Sequence, residues 1–232
     1  MNNCPMCKNT DLNFSCECPT REFERVYSGR ASVIYLGCKN CGLAFQQDPV
    51  PDSYYKADYR KNLPANSETV RDGNVRGELK RAMRVENFLG EMSATSCLDV
   101  GSSTGELLRY FQKIYGCQVQ GIEPSDAFRE YTNLQGTPTA ERIEEIIDVF
   151  YLVTCVHVLE HIAEPMPFLS EIKRRVGRYL YLEVPFLSPN LPHFLLFTLD
   201  SLEKMVEMAG FMILHKEHNP GDNCLRILCA PS

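Results

Sequence analysis

The cysteines are the strongest constraint on this chain, and they are unevenly placed. Six of the 11 lie in the first 41 residues, and the other five are scattered singly as Cys97, Cys117, Cys155, Cys224 and Cys229. Cys4-Pro5-Met6-Cys7 and Cys38-Lys39-Asn40-Cys41 are two Cys-x-x-Cys knuckles. A two-residue gap lets both sulfurs of a knuckle reach one tetrahedral ion, and four thiolates favour zinc. Pro5 stiffens the first turn, and Gly42 allows a positive φ behind the second. Val33–Leu36 and Leu43–Phe45 read as strands between and after the knuckles. A module this small buries too little apolar surface to fold alone, so a metal would contribute its folding energy. Residues 1–48 therefore read as a zinc ribbon with Cys4, Cys7, Cys38 and Cys41 as ligands. Free thiols in a small β-module are the plainer alternative. Cys16-Glu17-Cys18 fits a knuckle less well, and both thiols read as non-ligands.

Composition narrows the class. The chain has 232 residues, 44% of them hydrophobic and 23% charged, with a net charge of −6. That describes a folded domain plus an appendage rather than a disordered tail. It also lacks the basic excess of a general nucleic-acid binder. The longest apolar stretch, Val149 to Leu159, is about half of the ~20 residues needed to span a bilayer. The start, Met1-Asn2-Asn3-Cys4, shows neither a charged nor an apolar leader region, and an odd number of cysteines makes a poor disulfide framework. A cytoplasmic protein with reduced thiols, a small-molecule substrate and no membrane partner is the expectation.

Residues 49–93 read as a linker with a helix packed on the core. Tyr54, Tyr55 and Tyr59 form either a packing seam or an aromatic lining of a ligand mouth. From Ser67 to Met92, Val75, Leu79, Met83, Phe88 and Leu89 recur at near-helical spacing. Residues 94–232 alternate strand and helix patterns. Cys97–Val100, Gln118–Glu123, Val149–Val153 and Tyr179–Val184 read as strands, with helices over Glu106–Tyr115, Ser125–Asn133, Phe168–Val176 and Thr198–Ala209. Repeated βα units give an α/β fold, a doubly wound, mostly parallel sheet. Phe211–Lys216 and Leu225–Ala230, with no helix between them, form an antiparallel edge hairpin. Gly136 to Ile147 shows no readable strand.

In such sheets ligands bind at the strand-to-helix turns. Asp99-Val100-Gly101-Ser102-Ser103-Thr104-Gly105 is a polar turn whose glycines permit a sharp bend and close approach of a ligand. Glu123 ends the next strand, where a carboxylate can accept both hydroxyls of a ribose. The spacing is not Gly-x-Gly-x-x-Gly, since Ser103 holds the middle position. A cofactor without a pyrophosphate needs less of a phosphate cradle.

Leu98–Gly105 resembles motif I of the class I S-adenosylmethionine-dependent methyltransferases, and Gly121-Ile122-Glu123-Pro124-Ser125 resembles their ribose-binding strand end. His157-Val158-Leu159-Glu160-His161-Ile162-Ala163-Glu164-Pro165 is similar to a segment that follows the fourth strand in one branch, and Gly210-Phe211 matches the pair that opens the sixth. The branch with an N-terminal zinc ribbon includes enzymes acting on sugars. The resemblance implies a seven-stranded Rossmann-like sheet and S-adenosylmethionine as cofactor. It places Asp99, Gly101, Ser102, Ser103, Gly105, Glu123, Pro124, Thr154 and Cys155 around that cofactor.

For catalysis, a hydroxyl nucleophile gains from a base titrating near neutrality, which favours histidine. His193 lies on the loop after strand five, where the resemblance puts the substrate mouth, and reads as the substrate-facing candidate. His157 is a base or a wall of the cofactor pocket, while His161 and Glu160 read as structural. Glu183 is open between a site carboxylate and an anchor. The leading expectation is methyl transfer to a sugar, nucleotide sugar or other small metabolite. The alternatives are a zinc-ribbon RNA methyltransferase and a non-catalytic scaffold that keeps the fold.

Overall fold

The computed structural model describes residues 3–21, 28–49, 68–90 and 94–232. The three tyrosines at 54, 55 and 59 lie outside them. No helix among the described residues is long and apolar enough to cross a membrane.

The N-terminal module begins with β1 (Leu12–Pro19), which pairs antiparallel with β2 (Ser32–Cys38), and β2 pairs with β3 (Ala44–Gln46). β2 and β3 match the two strands expected there. β1 was not anticipated: its side chains are almost all exposed, so it carries no apolar alternation. Helix α1 (Glu68–Leu89) follows.

The main domain contains β4 (Ser96–Val100), α2 (Glu106–Tyr115), β5 (Gln118–Ile122), α3 (Asp126–Leu134), β6 (Thr139–Ala140), β7 (Phe150–Val156), α4 (Pro165–Lys173), β8 (Val176–Pro185), β9 (Leu195–Leu196), α5 (Leu199–Met208), β10 (Phe211–Asn219) and β11 (Cys224–Pro231). Seven strands form one sheet in the order β10-β11-β8-β7-β4-β5-β6. β6, β5, β4, β7 and β8 run parallel, and β11 is antiparallel to both its neighbours. This is the doubly wound sheet with an edge hairpin that the βα alternation predicts. The strand missing from the sequence reading is β6, whose two residues are too few to show a period.

Period-two alternation sends neighbouring side chains of a strand to opposite faces. Leu152 and Val156 of β7 pack with Ala82 and Val85 of α1 and Leu107, Leu108 and Phe111 of α2. Val153 and Cys155 face the other way, into a cluster with Leu182 and Val184 of β8. That second cluster continues through Leu191, Phe194 and Phe197 into Cys4, Tyr35 and Phe45. The N-terminal module and the large sheet thus share one apolar core. They also share backbone pairing, because β9 adds to the edge of β3, with Ala44 opposite Leu196 and Phe45 opposite Leu195. The appendage read from the cysteines is therefore a four-stranded sheet, β1-β2-β3-β9, whose last strand comes from the main domain.

One sequence expectation is corrected in α1. Leu79 and Met83 were assigned to its apolar face, yet Leu79 is 37% and Met83 53% exposed. The buried positions are Ala82 and Val85, with Phe88 and Leu89 partly covered. The helix turns its smaller apolar residues inward because it lies close against α2.

Candidate active site

The carboxyl end of β4 leads into a turn that only a few residue types tolerate. Gly101, Ser103 and Gly105 have φ of 79°, 49° and 75°. Left-handed backbone is cheap for glycine and strained for serine, so Ser103 is held there by its surroundings. The turn is packed from both sides. A Cβ on Gly101 would stand 2.3 Å from Val158 Cγ2, and one on Gly121 of β5 would stand 2.5 Å from Ser102 Oγ. The amides of Gly101 and Ser102 both donate to the Ile122 carbonyl, at 2.8 and 2.9 Å.

Glu123, one residue past β5, is 1% exposed. Its Oε2 accepts from the Ser103 amide and its Oε1 from the Ser125 amide, each at 2.9 Å. Two backbone donors fix the plane of the carboxylate against the turn. Asp99 is buried in β4, and its Oδ1 accepts from Thr154 Oγ1 at 2.7 Å. Thr154 thus orients Asp99. Pro124 is exposed beside Glu123. The hydroxyls of Ser102 and Thr104 are buried with no hydrogen-bond partner, and buried polar groups seldom stay unpaired. This fits a polar ligand seated at the turn. Cys155, expected just past its strand as a pocket wall, lies inside β7 with its side chain fully buried in the core.

At the neighbouring ends of β7 and β8 the chemistry is carried by charged side chains. His157 sits at φ 56°. Its Nδ1 is 3.4 Å from Glu160 Oε1, and its Nε2 is 3.2 Å from Glu183 Oε1. Burial opposes a charge on this ring, but Cys224, Glu160 and Glu183 together raise its pKa to about 11. His157 therefore holds its proton at neutral pH and is a fixed cation rather than a base. Glu183 is fully buried, and its carboxylate takes the Tyr181 hydroxyl at 2.8 Å, Arg226 Nε at 2.8 Å and Arg84 Nη2 at 3.1 Å. Burial works against its charge, yet His157, Arg84 and Arg226 keep its carboxyl well below the usual carboxylate range. Of the two roles open to Glu183, the geometry matches the anchor. Arg226 is 3% exposed and also meets Glu217 Oε1 at 3.0 Å and the Asp222 carboxylate. Arg84 and Arg226 were missed by sequence reasoning. The available signal was a lone charge inside the apolar run Cys224-Leu225-Arg226-Ile227-Leu228-Cys229.

His193 lies on the loop between β8 and β9. Its Nδ1 donates to the Ser188 carbonyl at 2.7 Å, and Asn190 Nδ2 lies 3.3 Å from its Nε2. Burial, aided by His161, lowers its pKa to about 4 against the pull of Glu160, so it is neutral at pH 7. His161 Nδ1 donates to the Pro192 carbonyl at 2.8 Å, the loop anchor expected of it. The same loop is gripped from the N-terminal module. Tyr35 Oη lies 2.8 and 2.7 Å from the carbonyls of Asn190 and His193, its one proton shared between them. Gln46 Nε2 reaches the carbonyls of Leu191 and His193, each at 2.8 Å. Tyr35 and Gln46 are a second omission, since nothing local in sequence links them to residues 190–193.

In the N-terminal module, Cys4, Cys7, Cys38 and Cys41 converge, with all four sulfurs within 4.8 Å of one another. Cys4 and Cys41 are 3.5 Å apart, as are Cys7 and Cys38. Zn–S bonds of about 2.3 Å in a tetrahedron separate sulfurs by ~3.8 Å, so the donor set and spacing fit zinc. Cys16 and Cys18 stand apart from this cluster on β1, with Cys16 exposed.

Sheet order, glycine turn and strand-end carboxylate together define a class I methyltransferase fold. A family model described as "Methyltransferase domain" matches residues 52–216, and the chain belongs to that family. No curated protein matches the chain. Among solved structures it is similar to a SAM-dependent methyltransferase from Aquifex aeolicus (19% identity, TM-score 0.55, covering 65% of this chain and 89% of that one). It is also similar to Burkholderia thailandensis 1,6-didemethyltoxoflavin-N1-methyltransferase with bound 1,6-didemethyltoxoflavin and S-adenosylhomocysteine (15% identity, TM-score 0.59, 84% and 98% covered). A third is the Synechocystis PCC 6803 magnesium protoporphyrin IX methyltransferase with bound SAM (14% identity, TM-score 0.58, 80% and 100% covered). The chain is an enzyme of the S-adenosylmethionine-dependent methyltransferase class.

Proposed function

We propose that this enzyme transfers the methyl group of S-adenosylmethionine to a sugar, a nucleotide sugar or another small metabolite, with one structural zinc ion on Cys4, Cys7, Cys38 and Cys41. The observation that carries the cofactor half is the Glu123 carboxylate, clamped by the Ser103 and Ser125 amides beside a turn that holds three left-handed residues. Glu123 would hold the ribose, and the Gly101–Gly105 turn the amino-acid end, with Asp99 held in place by Thr154. The bound cofactor supplies an electrophilic methyl on sulfur, and methyl transfer from it is an in-line displacement. What the chain contributes is largely alignment of the acceptor. His157 supplies a fixed positive charge where the acceptor lies, and His193 a neutral imidazole whose Nε2 accepts. A small acceptor is favoured over RNA by the net charge of −6 and by the absence of an Arg/Lys run between the cysteine knuckles.

The test is a screen with labelled methyl donor against nucleotide sugars and total RNA. Label in a nucleotide sugar supports the reading, and label in RNA alone overturns its substrate half. Calorimetry with S-adenosylmethionine tests the cofactor half directly, and one zinc per chain, lost on Cys38→Ser, tests the metal.

A further inference from the structure

A second buried carboxylate follows β7 without the close hydrogen bonds that fill the oxygens of Glu183. Glu160 is 1% exposed, in the short 3-10 turn Leu159–His161 after β7, and neither of its oxygens accepts a hydrogen bond. The nearest groups are His157 Nδ1 at 3.4 Å, in ion-pair range only, and His161 Nε2 at 3.9 Å. A buried carboxylate without close hydrogen bonds is costly. Glu183, a few ångströms away across His157, shows the contrast, with Tyr181, Arg226 and Arg84 filling its oxygens.

The groups that surround Glu160 are of one chemical kind. The rings of His161 and His193 pack edge-on at 4.9 Å, and one donor atom from each of Glu160, His161 and His193 lies within 4.8 Å of the other two. Both imidazoles are oriented by backbone carbonyls. His161 Nδ1 donates to Pro192 O at 2.8 Å, and His193 Nδ1 donates to Ser188 O at 2.7 Å. A carbonyl can only accept, so each Nδ1 carries a proton and each Nε2 is the nitrogen left to meet a ligand or an ion. Holding a histidine by Nδ1–H on a carbonyl, with Nε2 presented to an ion, is the usual support for a metal ligand.

We propose that Glu160, His161 and His193 form a second metal site, distinct from the cysteine cluster, that binds a divalent transition-metal ion through one carboxylate oxygen and two Nε2 atoms. Ligand bonds of about 2.0–2.2 Å put tetrahedral donors ~3.3–3.6 Å apart, so the three donors, now within 4.8 Å of one another, must draw together by up to about an ångström and Asn190 Nδ2 must release its 3.3 Å contact with His193. Two histidines and one carboxylate suit zinc, iron(II) or manganese(II), and three protein ligands leave positions open. Val158, two residues before Glu160, is the side chain packed on Gly101, which ties this segment to the cofactor turn. The open positions can take an oxygen of the acceptor. That last use rests on the methyl-transfer reading, whereas the ion site itself does not.

The experiment is metal titration of the full-length, zinc-loaded protein without methyl donor or acceptor, so failure of the site and failure of the transferase reading are separate results. Manganese(II), iron(II) under anaerobic conditions, and further zinc are each added and followed by calorimetry, with free manganese(II) read by electron paramagnetic resonance. The expected result is that at least one of these ions binds at one additional equivalent per chain. Glu160→Gln, which keeps the side-chain shape, and His193→Ala, on a loop, should each weaken that binding by roughly 100-fold while circular dichroism stays native. If none of the three ions binds beyond the first zinc, or if the extra ion is indifferent to both folded variants, the site does not exist.

Discussion

The two halves of the active site are built by opposite means. Around β4 and β5 the geometry comes from the backbone: three left-handed residues in five, and a carboxylate clamped by two amides. Around β7, β8 and β9 it comes from side chains that are far apart in sequence, with Glu183 meeting Arg84 and Arg226, and Tyr35 and Gln46 meeting residues 190–193. A backbone site accepts one conserved piece of ligand rigidly. A side-chain site can change its occupant through single substitutions, which suits the half proposed to face the acceptor.

Four measurements bear on that contrast. Arg226→Ala should have the largest effect, because it leaves the buried Glu183 short of a partner and leaves Asp222 only its 3.7 Å pairing with Arg84. Breaking a buried ion pair from one side costs about 3–5 kcal/mol, so the midpoint of denaturant unfolding should fall accordingly. An unchanged midpoint would show that the acceptor half does not depend on this network. Glu123→Ala should reduce S-adenosylmethionine affinity by about 100-fold or more, ~2.8 kcal/mol, in calorimetry, because it removes the proposed ribose acceptor and strands two amides. An affinity within a few-fold of the parent would dismiss the ribose role. Tyr35→Phe with Gln46→Ala removes the side-chain hold of the N-terminal module on the His193 loop and leaves the β3–β9 pairing in place. Each lost hydrogen bond is worth about 0.5–1.5 kcal/mol, so acceptor KM should rise several-fold to tens of fold while methyl-donor affinity is kept. A loss of donor affinity instead would mean that the two halves are not separable. The smallest effect is expected for Met83→Ala on the exposed side of α1, within about 0.5 kcal/mol of parent stability. A clearly larger cost would restore the face that sequence periodicity assigned.

The same contrast explains what could be read from the chain. The turn at Gly101–Gly105 and the acid at Glu123 were legible because left-handed backbone selects residue type locally. The main strands were legible because β7 and β8 are buried on both faces and appear as apolar runs. β1, exposed along most of its length, and β6, two residues long, have no such pattern. Met83 was misassigned because regular spacing cannot tell which side of a half-polar helix meets α2. The state of His157 was beyond sequence reasoning, since its proton is held by Glu160, Glu183 and Cys224, which come from three separate segments.

The two-residue strand β9 has a consequence for how such enzymes diversify. Because Leu195 and Leu196 pair with Phe45 and Ala44, trimming off the N-terminal segment would leave β9 without its strand partner. A functional chimaera would need to carry residues 1–48 and the 188–197 loop together, so the thiol cluster and the segment that carries His193 form one inheritable unit, and under the proposed zinc reading the loss of the ion would loosen that segment before it loosened the large sheet.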